Sequence, residues 1–438
     1  MKILIISWYF PPVNTIGALR VGGLARFLIA RGHDLGVVAG KNWGQPETLS
    51  LGVPLERVAY AKAIDVNALP ERLTRILKRG VNGSPAANRH AAEHLEQAAA
   101  SRDRVSVLRR LSRLYVDLTN LPDNRIGWLP ACYLACRRLC RDWHPDLVFA
   151  SGPPFTALLA ARLVSARLGL PFVGELRDRW ADDPYEETRP WRVRLNQWLE
   201  RRALAGATGL VTVTEPWAEF YRRKYGQPVA TTYNGYDPLD FGPCPNEDIS
   251  DPSAPLLIGY AGNIYPGKRD PTPVFEALHL LGRDGENIRV VFRGTDPALV
   301  LPLAERAGVA HLIEALPPVP YRQSLEFQRQ ADVLLLMQWN DPREQGSCPG
   351  KLFEYIASLR PVLVLGLADG VPAMIVRERQ AGFCSNDAAE IAGQLRIWLR
   401  QKQEFGRVPS LPVSAREGLS RTIQFERLER FLLEAIRV

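Results

Sequence analysis

PDLVFASGPPFTALLAARLVSARLGLPFVGELRDRW, residues 145–180, decides the fold. An unbroken apolar run, PDLVFAS, leads through Pro-Pro into a helix-length segment near 153–168. A second apolar run, PFVGEL, then ends abruptly in charges. Apolar runs without alternation are strands of a sheet covered on both faces, and a helix between two of them is a right-handed crossover joining parallel neighbours. Outward from this unit the pattern repeats. KILIISW, DLGVVAG, TGLVTVT and PVATTYN read as strands, and the segments near 17–31, 128–142, 190–205 and 216–225 read as helices. DPLDFGPCPNEDISDPSAP, residues 237–255, is rich in Pro and Asp, lacks periodicity and reads as a linker. Beyond it the alternation restarts with PLLIGYA, NIRVVFRG, ADVLLLM and PVLVLG, separated by helices near 271–282, 321–330 and 350–359. The expected fold class is α/β with two doubly wound domains of similar size, closed by a helix at about 418–437.

Composition narrows the class. The 438 residues are 46% hydrophobic and 23% charged, an ordinary globular balance in a chain long enough for two domains or three small ones. No apolar run approaches the ~20 residues that cross a bilayer, and MKILIISWYFPPVN runs into Pro-Pro without a small-residue cleavage site. The expectation is a soluble or peripheral protein in the cytoplasm. Cys132, Cys136 and Cys140, spaced for one helical face, form neither a disulfide framework nor a metal clip. The net charge is +8, and residues 61–142 alone carry 15 Lys and Arg against 8 Asp and Glu. Charge so localised, without a nucleic-acid motif, excludes a general nucleic-acid binder and marks one basic patch. Within it RDRVSVLRRLSRLYVDL, residues 102–118, reads as a basic amphipathic helix with Arg109, Arg110 and Arg113 beside an apolar face. It either packs on the core or meets an anionic membrane, where each basic residue is worth ~1 kcal/mol.

Ligands of doubly wound sheets bind beyond the carboxyl ends of the strands, so chemistry is sought in the loops there. After the first strand, Gly17 at a helix start admits close approach by a phosphate, or simply packs the helix. PFVGELRDRWADDPY puts Glu175, Arg177 and Asp178 at a strand end, where charge suits a polar substrate; Glu175 and Arg177 pairing with each other is the structural alternative. GYAGNIYPGKRDP offers Gly262 for close approach and Lys268 or Arg269 as phosphate partners, or as a solvated pair in a turn. GSCPGKLFEYIASLRPVLVLG sets Gly346, Pro349, Gly350 and Lys351 before or at the start of a short helix carrying Glu354. That carboxylate is placed to accept ribose hydroxyls, or else lies exposed on its helix.

The ordered motifs FPP…G…GH, LPDNRIGWLP, SGPPFTA, RDRWADDPY, TYNGYDPLDF, AGNIYPGK and PGKLFEYIASLRPVL resemble the nucleotide-sugar-dependent glycosyltransferases of the GT-B fold, and most nearly family four, the retaining enzymes. The resemblance runs from residue 1 to about 370 and through the last helix. It implies two Rossmann-like domains facing a central cleft: residues 1–238 for the acceptor, with a basic insertion over about 65–120, and 239–415 for the nucleotide-sugar. Residues 416–438 form a helix packed across both. It matches Lys268 to the phosphate-binding cation, Glu354 to the ribose-binding carboxylate and Gly17 to the first-loop glycine. Two positions depart from the pattern. Asn263 stands where many members carry Arg, leaving Arg269 or Arg293 as substitutes. Gly346 stands eight before Glu354, where members carry a first glutamate; Glu344 is out of register.

The resemblance implies hexose transfer from a nucleoside-diphosphate sugar to an acceptor hydroxyl, with retention. Lys268, nearby arginines and helix N-termini take the leaving charge in place of a metal. Asp178 and Glu175 are the candidates for orienting the acceptor. No metal or other cofactor and no nucleic acid are expected. The expected partners are a donor nucleotide-sugar, a saccharide or lipid-linked acceptor of cell-surface polysaccharide or glycolipid assembly, and the inner membrane face. A non-catalytic nucleotide- or glycan-binding protein and a nucleotide-sugar epimerase are the alternatives on the same fold.

Overall fold

The unalternating apolar runs become strands buried over their length, as LVFASG at 147–152 and VLLLM at 333–337 illustrate. The computed structural model describes residues 1–42, 44–67, 115–185, 189–241 and 251–437. In chain order the first half forms β1 (Lys2–Ser7), α1 (Ile16–Ala30), β2 (Asp34–Gly40), β3 (Arg57–Ala61), α2 (Leu129–Leu139) and β4 (Leu147–Gly152). It continues with α3 (Thr156–Leu168), β5 (Phe172–Leu176), α4 (Pro190–Leu204), β6 (Gly209–Thr212), α5 (Glu215–Tyr225) and β7 (Val229–Thr231). The second half forms β8 (Leu256–Ala261), α6 (Thr272–Leu281), β9 (Ile288–Arg293), α7 (Pro297–Arg306), β10 (Ile313–Leu316), α8 (Tyr321–Gln330) and β11 (Val333–Met337). After these come α9 (Lys351–Ala357), β12 (Val362–Leu365), α10 (Val371–Glu378), β13 (Gly382–Cys384), α11 (Ala388–Phe405) and α12 (Arg421–Ala435).

The two sheets are ordered β3-β2-β1-β4-β5-β6-β7 and β10-β9-β8-β11-β12-β13. Pairing is parallel from β3 to β6 in the first and throughout the second, with registers such as Ile3 opposite Leu147 and Val333 opposite Ile258. Strand order reverses between β1 and β4 in one sheet and between β8 and β11 in the other. At such a reversal the flanking loops diverge and leave a crevice, so the loops after these four strands are where ligand chemistry belongs.

Three strands and three helices escape a reading by apolar runs. β3, RVAYA, is a partly exposed edge strand; β10 and β13 are four and three residues long. α7 contains Pro302, and α10 opens on Val-Pro. α11 is amphipathic, with Ile391, Leu395, Trp398 and Leu399 packed into the second core. Asp387 caps its start by accepting the Ala389 and Glu390 amides.

The chain divides into two units, Met1–Thr212 with Tyr221–Ala230 and Glu429–Val438, and Val213–Phe220 with Thr231–Leu428. The division departs from a single cut at 238, and packing gives the reason. Tyr236 is buried edge-on against Phe241 in a second-unit core with Phe353 and Tyr355. α12 is shared between the units at Leu428 and Glu429. Gln424 accepts the Tyr233 amide in the second, while Glu429 meets His33 at 2.7 Å and Arg31 at 3.3 Å in the first. The basic segment bearing Arg109, Arg110 and Arg113 lies outside the described residues.

Candidate functional site

In the second unit the chain leaves β8 at Gly262, whose φ of +133° suits glycine. Lys351, the first residue of α9, takes the space beside it: a β-carbon on Gly262 would stand 2.5 Å from the Lys351 Nζ. The ammonium donates to the Ala261 carbonyl at 2.7 Å and lies 4.4 Å from the Tyr260 ring centroid. Burial lowers its pKa to about 7; the charge of Arg269 acts in the same direction and that of Glu354 opposes both. A lysine that is half charged near neutrality therefore lies at the carboxyl end of β8.

Of the two arginines expected to stand in at 263, Arg269 is near enough for its charge to act on Lys351, and it stacks 4.5 Å over Tyr265. Arg293 turns its guanidinium over Phe327 at 5.2 Å, and its backbone carbonyl accepts the Gly262 amide. Asn263 is exposed, its carbonyl taken by the Tyr260 hydroxyl. Lys268 lies 4.7 Å over Trp339, an indole that also meets Arg343 at 4.3 Å. Arg343 grips Asp341 by two nitrogens at 2.9 and 2.8 Å and, with Lys268 adding, holds that carboxyl at about 2. Trp339 thus ties the loop after β8 to the loop after β11, across the strand-order reversal. The sequence reading missed Trp339 and Arg343; the signal was QWNDPRE, an aromatic among charges directly after a buried strand.

Glu354 is partly buried within the first turn of α9. Its Oε1 accepts from the Tyr321 hydroxyl at 3.2 Å and its Oε2 from the Gln328 amide at 3.3 Å. Burial raises its pKa; Arg421, Gln328 and Tyr321 pull the other way. It is no exposed helical glutamate. Gly350 precedes the helix, with Asn234 3.7 Å from where its β-carbon would be.

Gly346 explains the missing first glutamate. Its φ is +88°, it is buried, its carbonyl accepts the Thr214 hydroxyl at 2.6 Å, and a β-carbon there would lie 2.4 Å from the Trp217 ring. No side chain fits unless Trp217 moves. Glu344 is 4% exposed and offers no substitute carboxylate at the surface.

In the first unit Gly17 lies in the first turn of α1, which Thr15 caps. A β-carbon on it would fall 2.9 Å from Arg177 Nη1 and 3.0 Å from Tyr9, so the glycine admits the guanidinium against the helix start. Arg177 donates to the Pro153 carbonyl at 2.5 Å, joining the ends of β4 and β5. Asp178 reaches solvent. The protein packed around it pushes its carboxyl above the ordinary range, with Arg177 opposing and Asp183 adding to the push.

Glu175 requires a correction. It is 1% exposed, with Oε1 2.8 Å from Arg20 and Oε2 accepting from Ser151 at 2.5 Å. Burial pushes its pKa up, but Arg20, Arg177 and Ser151 hold it below the ordinary range. It is neither open to an acceptor nor paired chiefly with Arg177; it neutralises Arg20, a residue the sequence reading overlooked because arginine inside a helix looks solvated. The neighbouring motifs are scaffolding too. Asp123 of LPDNRIGWLP accepts the Thr156 amide and hydroxyl at 2.9 and 2.8 Å, capping α3. Glu200, fully buried, takes the Ala181 amide and Lys224, and Lys224 also meets Asp182 at 2.6 Å, pinning the loop after β5.

Two parallel Rossmann-like sheets, each with helical crossovers and polar loops at its strand-order reversal, define the GT-B class of α/β proteins. Solved structures agree on the fold. Sucrose-phosphate synthase from Thermosynechococcus elongatus is 14% identical with a TM-score of 0.62, covering 99% of both chains. Anabaena HepE in complex with UDP is 13% identical with a TM-score of 0.60, over 99% of this chain and 100% of that one. The chain belongs to the glycosyl transferase 4-like family, whose domain profile matches residues 17–236. A curated relative, 2-deoxystreptamine N-acetyl-D-glucosaminyltransferase of Streptomyces fradiae, is 37% identical over 124 residues, 27% of this chain. The chain spans 30% of that protein's length.

Proposed function

We propose that this protein is a glycosyltransferase that moves a hexose from a nucleoside-diphosphate sugar to an acceptor hydroxyl, with retention and without a metal. The observation that carries the proposal is the convergence of Gly262, Lys351, Lys268 and Glu354 on the β8–β11 reversal of the second unit. Departure of the nucleoside diphosphate builds negative charge on its phosphates, and cations fixed in advance stabilise it without reorganising. Lys268, clamped on Trp339, and Lys351, beside Gly262 and near Arg269, are cations among the described residues suited to that charge. Glu354, with each oxygen accepting one protein hydrogen bond, has acceptor capacity left for ribose hydroxyls. Family membership supports the reading, as do HepE, solved with UDP-glucose, and the N-acetylglucosaminyltransferase relative. From the first unit we take Arg177 and Asp178 as the groups that meet an acceptor, a reading supported by the exposure of Asp178 just past β5.

The test is calorimetry and turnover with a panel of UDP-, GDP- and dTDP-sugars. Sugar transfer that survives EDTA supports the proposal, and loss of activity with EDTA refutes metal independence. Nucleotide binding without turnover would favour the non-catalytic reading, and an epimer formed from donor alone would favour the epimerase.

We further place the acceptor among cell-surface saccharides or lipid-linked sugars at the cytoplasmic membrane face, because most of the net charge lies in residues 61–142. Among the described residues no helix is long and apolar enough to cross a membrane. Sedimentation with anionic liposomes should show binding that falls with salt and with charge reversal at Arg109, Arg110 and Arg113; a protein that does not sediment with the liposomes would refute this reading.

A further inference from the structure

We infer that Tyr321 is a positioning residue for nucleotide recognition: its hydroxyl, shared between Asp240 and Glu354, sets the orientation in which Glu354 accepts the ribose hydroxyls of the donor. The inference rests on the reading of Glu354 as the ribose acceptor. Tyr321 opens α8, and its hydroxyl lies 3.0 Å from Asp240 Oδ2 and 3.2 Å from Glu354 Oε1. Seven residues on, the same face of α8 presents Gln328, 2% exposed, whose amide donates to the other oxygen of Glu354. One helix therefore grips both carboxylate oxygens, Oε1 by a phenol and Oε2 by an amide.

A phenol carries one proton, so it satisfies one carboxylate at a time. Asp240 and Glu354 compete for it unless one of them is protonated. Burial raises the pKa of both carboxyls, and the charge of Arg421 opposes the rise at each. The hydroxyl thus separates two acidic groups that would otherwise repel across a short gap. With Oε1 and Oε2 each using one lone pair on α8, the remaining pairs form an ordered acceptor for two adjacent hydroxyls. A carboxylate freed from Tyr321 keeps its charge and its helix but loses that orientation.

The measurement is the ratio of affinities for UDP and 2′,3′-dideoxy-UDP by calorimetry, with GDP and its dideoxy analogue in parallel. The proteins are the full chain and its Tyr321→Phe, Asp240→Asn and Glu354→Gln variants. Tyr321→Phe should weaken binding of the ribonucleotide about five- to tenfold and leave the dideoxy analogue unchanged. Equal losses for both analogues would mean that Tyr321 only supports the fold and would overturn the inference. Asp240→Asn removes the competing charge, so ribose discrimination should be retained or rise; a collapse would overturn the inference. Glu354→Gln separates the two levels of argument. If discrimination disappears in Glu354→Gln but persists in Tyr321→Phe, only the positioning role fails. If it persists in Glu354→Gln, the ribose reading itself fails.

Discussion

Lowering the proton concentration should weaken donor binding, and the size of the effect follows from Lys351. In the free protein its pKa is about 7, so the ammonium is about nine-tenths populated at pH 6 and about one-tenth at pH 8. A diphosphate beside Gly262 binds the charged form, and apparent affinity scales with the population of the competent form. Affinity for a nucleotide-sugar should therefore fall about tenfold from pH 6 to pH 8, with about half a proton taken up at pH 7. A nucleotide-sugar is the correct probe because its diphosphate diester does not titrate in this range, whereas a free nucleoside diphosphate does. Calorimetry in two buffers of different ionisation enthalpy counts the protons directly. Lys351→Arg, always charged, should flatten the profile. Stability supplies an independent check of sign. The folded lysine releases its proton near 7 and the unfolded one near the ordinary lysine value of 10.5. Between those values the unfolded chain holds more protons, so this group makes stability rise with pH across the window. A flat affinity from pH 6 to pH 8, with heats independent of buffer, would refute the assignment of Lys351 to the diphosphate.

Lys268→Ala should lower kcat about 100-fold, or ~3 kcal/mol, in steady-state kinetics; near-normal kcat would remove the residue from the mechanism. Gly346→Ala adds a β-carbon at φ +88° against Trp217 and should destabilise the second unit by about 2–5 kcal/mol in urea titration. A shift under about 0.5 kcal/mol would show the crowding to be relieved by simple movement. Glu175→Gln strands the buried Arg20 charge and should cost about 3–5 kcal/mol of stability; unchanged stability with lost turnover would return Glu175 to the catalytic candidates.

How far the sequence reached depended on the kind of signal. Runs such as VLLLM and LVFASG announce parallel strands because a sheet covered on both faces has no polar side to alternate. RVAYA, GFC and IEAL were silent because edge or very short strands bury too little to leave a pattern. Gly17, Lys268, Lys351 and Glu354 stood out as candidates because glycines and charged side chains just past apolar strands are poor choices for filling a core. Glu175 read the same way and was misjudged, since its partner Arg20 lies 155 residues away in the chain.

Amino-acid order alone determined the alternation of strand and helix, the doubly wound class and the loops in which chemistry belongs, since these follow from local periodicity and from the one hand in which crossovers pack. Folding decided the rest. It set which cation stands over Gly262, which indole clamps Lys268, why residue 346 admits no side chain, and which of the two carboxylates at the end of β5 is sealed by an arginine. These depend on distances between segments remote in sequence, and burial and charge act through distance in space, which periodicity does not encode.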